Sequence, residues 1–287
     1  MSKTAATVPA KPAAETTNVL PAVKSAASNI VTAMDMVPDF LKDKIDQDAG
    51  RGSSTDAADN IVPLIYVLQA NSPQVNRRNP AYIEGAEPGD IWLRNAPRPI
   101  IKGDKGIVFQ QSYFNKDWVE WVLRDEGGGF VARYDECPPN AKDQPDPTNP
   151  DRMRKMLPNG HEVRETRYHI GIVYSDDMMP MPYVIPLSSS GHTVSKNWMG
   201  MITSKKNAAG IPIASFTSLY KLTTKLRKNN RGQEWFTLNV VDLGFVNSIE
   251  QYNLGAALAT SFEEGEKVIE NVSEDTERSA SSSDGEM

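Results

Sequence analysis

The chain has 287 residues, a formal charge of -6, 24% charged residues, three histidines and one cysteine, Cys137. A lone cysteine excludes an intrachain disulfide and a cysteine-built metal cluster, and the histidines (His161, His169, His192) lack the close spacing of a zinc site. No apolar run is long enough to span a bilayer and the start lacks the apolar segment of a secretory signal, so the expectation is a host-cytoplasmic protein without membrane contact.

Residues 1–59 read as a polar leader, rich at first in Ala, Thr, Pro and Lys, which buries too little apolar surface to offset the entropy of ordering it. Within it Ile30, Val31, Met34, Val37, Leu41 and Ile45 are spaced for short helical turns interrupted near Pro38. Residues 60–250 read as one β-rich domain, opening with the buried-type segment NIVPLIYVLQANSP. GAEPGD places a turn before a strand carrying Ile91 and Leu93. GIVFQQSYFNKDWVEWVLRD is dominated by β-branched and aromatic residues, with Asn115 to Asp117 expected to divide it into a hairpin. The glycines at 127–129 supply the next turn.

The proline-rich stretch 138–160 is expected to be a long loop, because proline removes ladder hydrogen bonds. Strands resume with ETRYHIGIVYSD and MPYVIPLSSS, and Asp176 with Asp177 reads as the turn between them. SKNWMGMITSK is expected to be a helix packing Trp198, Met201 and Ile202; two long strands joined at Asn229 to Gly232 follow. Residues 251–287 hold nine acidic and two basic residues and read as an acidic disordered tail. The fold class expected is mainly β, an OB-like small barrel with loop insertions and one or two peripheral helices, with a β-sandwich as the alternative.

Charge is partitioned unevenly. Between residues 196 and 231 there are eight basic residues, Lys196, Lys205, Lys206, Lys221, Lys225, Arg227, Lys228 and Arg231, and no carboxylate. Such a run is either a solvated surface or a site that attracts phosphates. Tyr220 and Trp235 lie beside it, and Trp118 and Trp121 belong to an aromatic block further upstream. Each ring is either core or a stacking face for a base; on strict alternation Trp118 and Trp121 face opposite ways.

The blocks IVPLIYVLQANSPQV, YIEGAEPGDIW, WVEWVLRDEGGGFVARYD, TRYHIGIV, VIPLSSSGHTVSKNWMGMI and YKLTTKLRKNNRGQEWF, spanning about residues 61–246, resemble phage-encoded single-stranded DNA-binding proteins with an OB-fold and an acidic tail. The resemblance implies non-specific single-strand binding in phage replication, recombination or repair. Phosphates would meet Lys205, Lys206, Lys221, Lys225, Arg227, Lys228 and Arg231, and bases would stack on Trp118, Trp121, Tyr220 or Trp235. It also implies replication or recombination partners on the tail, although Gly285-Glu286-Met287 lacks a terminal aromatic residue or Pro-Phe ending. Self-association is compatible with all of this, and no cofactor is implied.

Two rival readings stand beside it: a virion structural or assembly protein using its aromatic residues at protein interfaces, and a metal-dependent nucleic-acid enzyme. Catalytic signals are weak. Ser188 to Ser190 with His192 is not a nucleophile elbow, GGGF is not a phosphate-binding loop, and His169 in YHIGIV reads as a structural histidine.

Overall fold

The computed structural model describes residues 38–45, 47–48, 52, 60–123, 126–146, 149–175, 178–230, 232–265 and 268–269. After a short helix, α1 (Asp39–Ile45), come β1 (Ile61–Val62), β2 (Ile65–Val67), β3 (Ile91–Leu93), β4 (Ile100–Ile101), β5 (Ile107–Val122), β6 (Gly129–Tyr134), β7 (Lys142–Asp146), β8 (Asn149–Met156), β9 (Glu162–Ser175) and β10 (Met178–Ser188). The chain continues through α2 (Gly191–Ser204), β11 (Ser218–Lys228), β12 (Glu234–Phe245), α3 (Ile249–Glu263) and β13 (Val268–Ile269).

The organising element is the antiparallel ladder of β5 on β9, running from Val108 opposite Tyr174 to Trp121 opposite Glu162. β11 pairs with the first part of β5 and β6 with its last part, while β10 and β8 continue on the far side of β9. The resulting eight-stranded sheet is open, ending in β12 at one side and β7 at the other; β2, β3 and β4 form a separate small sheet. This overturns the OB-like barrel. A barrel needs its first and last strands to pair, whereas β12 and β7 lie at opposite ends of the strand order. The layered alternative fits better.

Both faces of the large sheet are covered, so its central strands are apolar on both sides instead of alternating. On one face Phe109, Val173, Tyr183, Ile185, Tyr220, Leu222 and Leu238 pack with Ile65, Ile91 and Leu93 of the small sheet and with Trp198 and Ile202 of α2. On the other, Val119, Tyr168, Ile170, Ile172, Tyr174 and Leu219 pack with Leu258 of α3 and with Val62 and Ile269 of the parallel β1–β13 pair. The register of β5 on β9 shifts between Gln111 and Tyr113. That bulge reverses parity: Ile107 and Phe109 face the first core, whereas Tyr113, Val119 and Trp121 face the second.

Pairing with β9 corrects one expectation. Asn115 to Asp117 makes no hairpin turn; β5 runs straight through, with Asn115 Nδ2 donating to Asp117 Oδ1 at 2.9 Å. The proline-rich stretch is likewise not a structureless loop, since β7 and β8 form a hairpin within it. Pro145 is tolerated because β7 is the last strand of the sheet and has a side without a ladder to complete. The glycines at 127–129 all adopt positive φ, as the tight β5–β6 connection requires.

Gln110 anchors α3 to the sheet. It is fully buried, its Nε2 donates to Phe216 O at 2.7 Å and Gln251 O at 2.9 Å, and its Oε1 accepts from Tyr174 Oη at 2.6 Å. Burial pushes the Tyr174 phenol up, which keeps it protonated as the donor. α3 approaches this closely because residue 255 is glycine: a Cβ there would sit 2.3 Å from Gln110 Nε2 and 2.8 Å from Phe216 Cβ. Gly255→Ala gains about 1 kcal/mol of helix propensity, but overpacking costs about 1–3 kcal/mol and disturbing buried hydrogen bonds costs about 1–3 kcal/mol more. A net loss of about 1–5 kcal/mol is expected in urea unfolding; an unchanged or raised midpoint would refute the anchoring role.

Candidate interaction groove

The β11–β12 hairpin projects past the end of the β5 pairing, which stops at Leu222 opposite Ile107. Between this hairpin, α2 and the ends of β2 and β10 lie two adjoining cavities of about 510 Å³ each. Half-buried Trp235 lines both. Lys225, Arg227 and Lys228 line the cavity on the α2 side, with Asn197, Met201 and Asn239. Lys225 and Arg227 are exposed; Lys225 Nζ reaches Asn239 Oδ1 at 3.2 Å, and Lys228 pairs with Glu234 at 3.0 Å.

The free edge of β12 runs along these cavities. Thr224 donates its N–H to Gly103 O, away from β12, and stands opposite Leu238. In an antiparallel ladder opposed residues either bond to each other or both point outward. Phe236, Leu238 and Val240 therefore direct their peptide groups to the outer edge. At Phe236 the edge is already occupied by a side chain: Gln69 Oε1 accepts from Phe236 N at 2.9 Å and Gln69 Nε2 donates to Phe236 O at 3.0 Å. The amide of Gln69 reproduces the two bonds of a neighbouring strand.

The other expected contact residues are dispersed. Lys205 is committed to Asp242 at 2.8 Å and Ser218 Oγ at 3.0 Å, with its ammonium 5.3 Å from the rings of both Tyr220 and Phe245. Lys206 is exposed beside its bridge partner Pro212, Lys221 is half-buried, and Arg231 lies outside the described residues. Tyr220 has no exposed surface and meets Trp198 edge-on, so it offers no face to a base. Trp118 and Trp121 sit on the far half of β5. There Trp121 packs edge-on against Phe130, and Lys155 Nζ stands 6.0 Å from the ring of Trp118. Among the described residues of the expected set, Lys225, Arg227, Lys228 and Trp235 come together. Gln69, Asn197 and Met201 complete that groove, and no motif in the sequence pointed to them.

Two polar clusters resemble catalytic groupings. His169 is fully buried, with Nε2 2.8 Å from Ser195 Oγ, Nδ1 2.8 Å from Gln111 Oε1, and its ring stacked on Trp198 at 4.2 Å. Because Gln111 Nε2 donates to Tyr113 O, its Oε1 must accept the Nδ1 proton, leaving Nε2 to accept from Ser195. A serine, histidine and amide so arranged imitate a hydrolytic triad, but all three residues are buried and no substrate can reach them. Elsewhere Glu120 accepts from Tyr134 Oη at 2.5 Å and Asn159 Nδ2 at 3.0 Å and meets His161 Nδ1 at 2.5 Å. Burial pushes the Glu120 carboxyl up, yet these bonds outweigh it and hold it below its usual value. They tie β5 to β6 and to the turn before β9. Among the described residues no group of three or more His, Cys, Asp or Glu side chains is placed to hold a metal, and no helix is long and apolar enough to cross a membrane.

A sequence family described as Pam3 phage gp34-like protein matches residues 27–268. The chain belongs to that family. No curated protein and no solved structure matches. The match takes in the body from α1 to the first residue of β13, so the phage-associated part of the earlier resemblance stands. The OB-fold single-strand-binding part does not, because the sheet is open and the expected stacking and phosphate contacts are scattered.

Burial, and to a lesser degree the Arg167 charge, push His169 from its ordinary 6.5 down to about 3. The unfolded chain therefore binds a proton between those values that the folded chain refuses. Stability at this group is full above about pH 6.5 and falls as pH drops toward 3. Its imidazole NMR signals are expected not to titrate between pH 5 and 8; a midpoint near 6.5 would show that the ring is hydrated.

Proposed function

We propose that this phage protein is a virion structural or assembly component, acting in the host cytoplasm through protein contacts and not through catalysis. The observation that carries the reading is a run of exposed apolar side chains where β12 passes into α3: Phe245 is 62% exposed, Ile249 63%, Tyr252 40% and Leu254 41%. Isolated exposed apolar residues are ordinary, whereas neighbouring ones, such as Ile249 and Tyr252 three positions apart on one flank of α3, are the kind of surface a partner covers. α3 keeps Gln251, Gly255, Leu258 and Ala259 for the core and leaves Ile249, Tyr252 and Leu254 outside. Membership of a phage protein family supplies the setting. The metal-dependent enzyme alternative has no comparable support, since the described carboxylates and histidines do not converge.

The reading predicts that the protein co-purifies in fixed proportion with particles, or with assembly intermediates, of the phage that encodes it. Mass spectrometry of gradient-purified material measures this. The double variant Phe245→Ser, Ile249→Ser is expected to fold normally, because neither side chain is buried, and to lose that association. If the protein is absent from particles and intermediates alike, the proposal fails.

A further inference from the structure

The outer edge of β12 is unfinished. Its peptide groups at Leu238 and Val240 point away from β11, in the same series as those that Gln69 closes at Phe236, and among the described residues no group bonds them on that side. Gln69 marks what the edge accepts: one donor and one acceptor at an outward residue, which is what an extended chain presents. Two adjoining cavities of about 510 Å³ each lie along this edge, room for a short segment.

The two faces of the edge differ in chemistry. Residues opposed in a ladder put their side chains on the same face of the sheet. Arg227 stands opposite Trp235 and Lys225 opposite Thr237, and Lys225 reaches across the strand to Asn239 Oδ1 at 3.2 Å. Both cations are exposed, line the groove and have no carboxylate partner among the described residues. On the other face Leu238 and Val240 pack on the first core, and half-buried Val194 and Met201, two turns apart on one face of α2, wall the groove. A strand laid against β12 alternates its side chains between these surroundings. One set of positions meets cations, the other apolar surface.

A second copy of β12 brings the wrong side chains. Its residues 235–241, WFTLNVV, hold no carboxylate to meet Lys225 and Arg227.

We propose that the β12 edge takes up an extended segment of a partner protein in which acidic and apolar residues alternate, adding it as a strand at Leu238 and Val240. An exposed strand edge is a template for such addition. Main-chain bonds hold the segment, and the two cations select an acidic sequence. The proposal deepens the assembly reading by giving one partner's chemistry, on a surface separate from Phe245, Ile249, Tyr252 and Leu254. Its test uses the isolated protein, so it can fail while the co-purification succeeds.

The full chain is titrated with a fluorescein-labelled ten-residue peptide of alternating Glu and Val. Saturable binding is expected at low ionic strength, with slowed hydrogen exchange at the Leu238 and Val240 amides. Affinity should fall about tenfold or more in 1 M NaCl, where charges are screened beyond about 3 Å, and in the variant Lys225→Glu, Arg227→Glu, whose exposed positions leave folding intact. A peptide of alternating Lys and Val, or the acidic peptide N-methylated throughout, should not bind. The proposal is overturned by absence of binding, by equal binding to the charge variant or of the N-methylated peptide, or by protection confined to other amides. Protection of Leu238 and Val240 that rises with protein concentration alone would give the edge to a second copy. A single-stranded oligonucleotide that protects them better than the peptide would give it to nucleic acid, and either result overturns the proposal as well.

Discussion

Every layer of the fold is hung on the long β5–β9 ladder, and that ladder works only because of the extra residue near Ser112. Without the bulge, Phe109 and Val119, ten residues apart, would face the same side. With it, the first stretch of β5 serves the core beneath the small sheet and α2, while the second serves the core beneath α3 and the β1–β13 pair. One strand thereby supplies two cores. The polar residues gathered at this crossing, Gln110 and Gln111, are fully buried. Each resolves a local demand: Gln110 binds α3 to the sheet, and Gln111 orients His169 toward Ser195 of α2. The two amides act as fixed pegs on opposite faces, converting loose apolar layering into a single register.

Such a core explains why apparently catalytic groupings are structural here. Ser195, His169 and Gln111 satisfy one another completely, and a burial cost that would be prohibitive for a charged imidazole is avoided by keeping the ring neutral. Glu120 with Tyr134, Asn159 and His161 solves the equivalent problem at the other end of β5 with a charge retained. The cavities, by contrast, gather at the β11–β12 side of the molecule, where the hairpin outruns the sheet and its outer strand has no strand neighbour among the described residues.

Local pattern made part of this legible. The β11–β12 hairpin, the α2 helix with Trp198 and Ile202 inward, and the buried segment carrying Val62, Leu64, Ile65 and Leu68 follow from periodicity and turn residues. What failed were places where long-range pairing overrides local preference. Asn115 to Asp117 has turn composition, yet pairing with β9 holds it extended; prolines between 138 and 160 suggested a loop, yet an outermost strand accepts Pro145. The barrel expectation failed for a different reason: counting strands does not reveal whether the first and last meet. In the groove, the cations and Trp235 could be read from the chain, but Tyr220 and Lys205 were drawn inward by packing and an ion pair, and nothing about Gln69 announced an amide that imitates a strand.

The parallel pairing of β1 with β13 joins segments separated by nearly the whole folded body. Synthesis proceeds from β1 toward β13, so Ile61 and Val62 must wait without their strand partner until almost all other elements have been made. The second core is correspondingly left open along one seam until Ile269 arrives to close it. Completion of the molecule is thus a late, long-range event, because its last strand is the one its first strand needs.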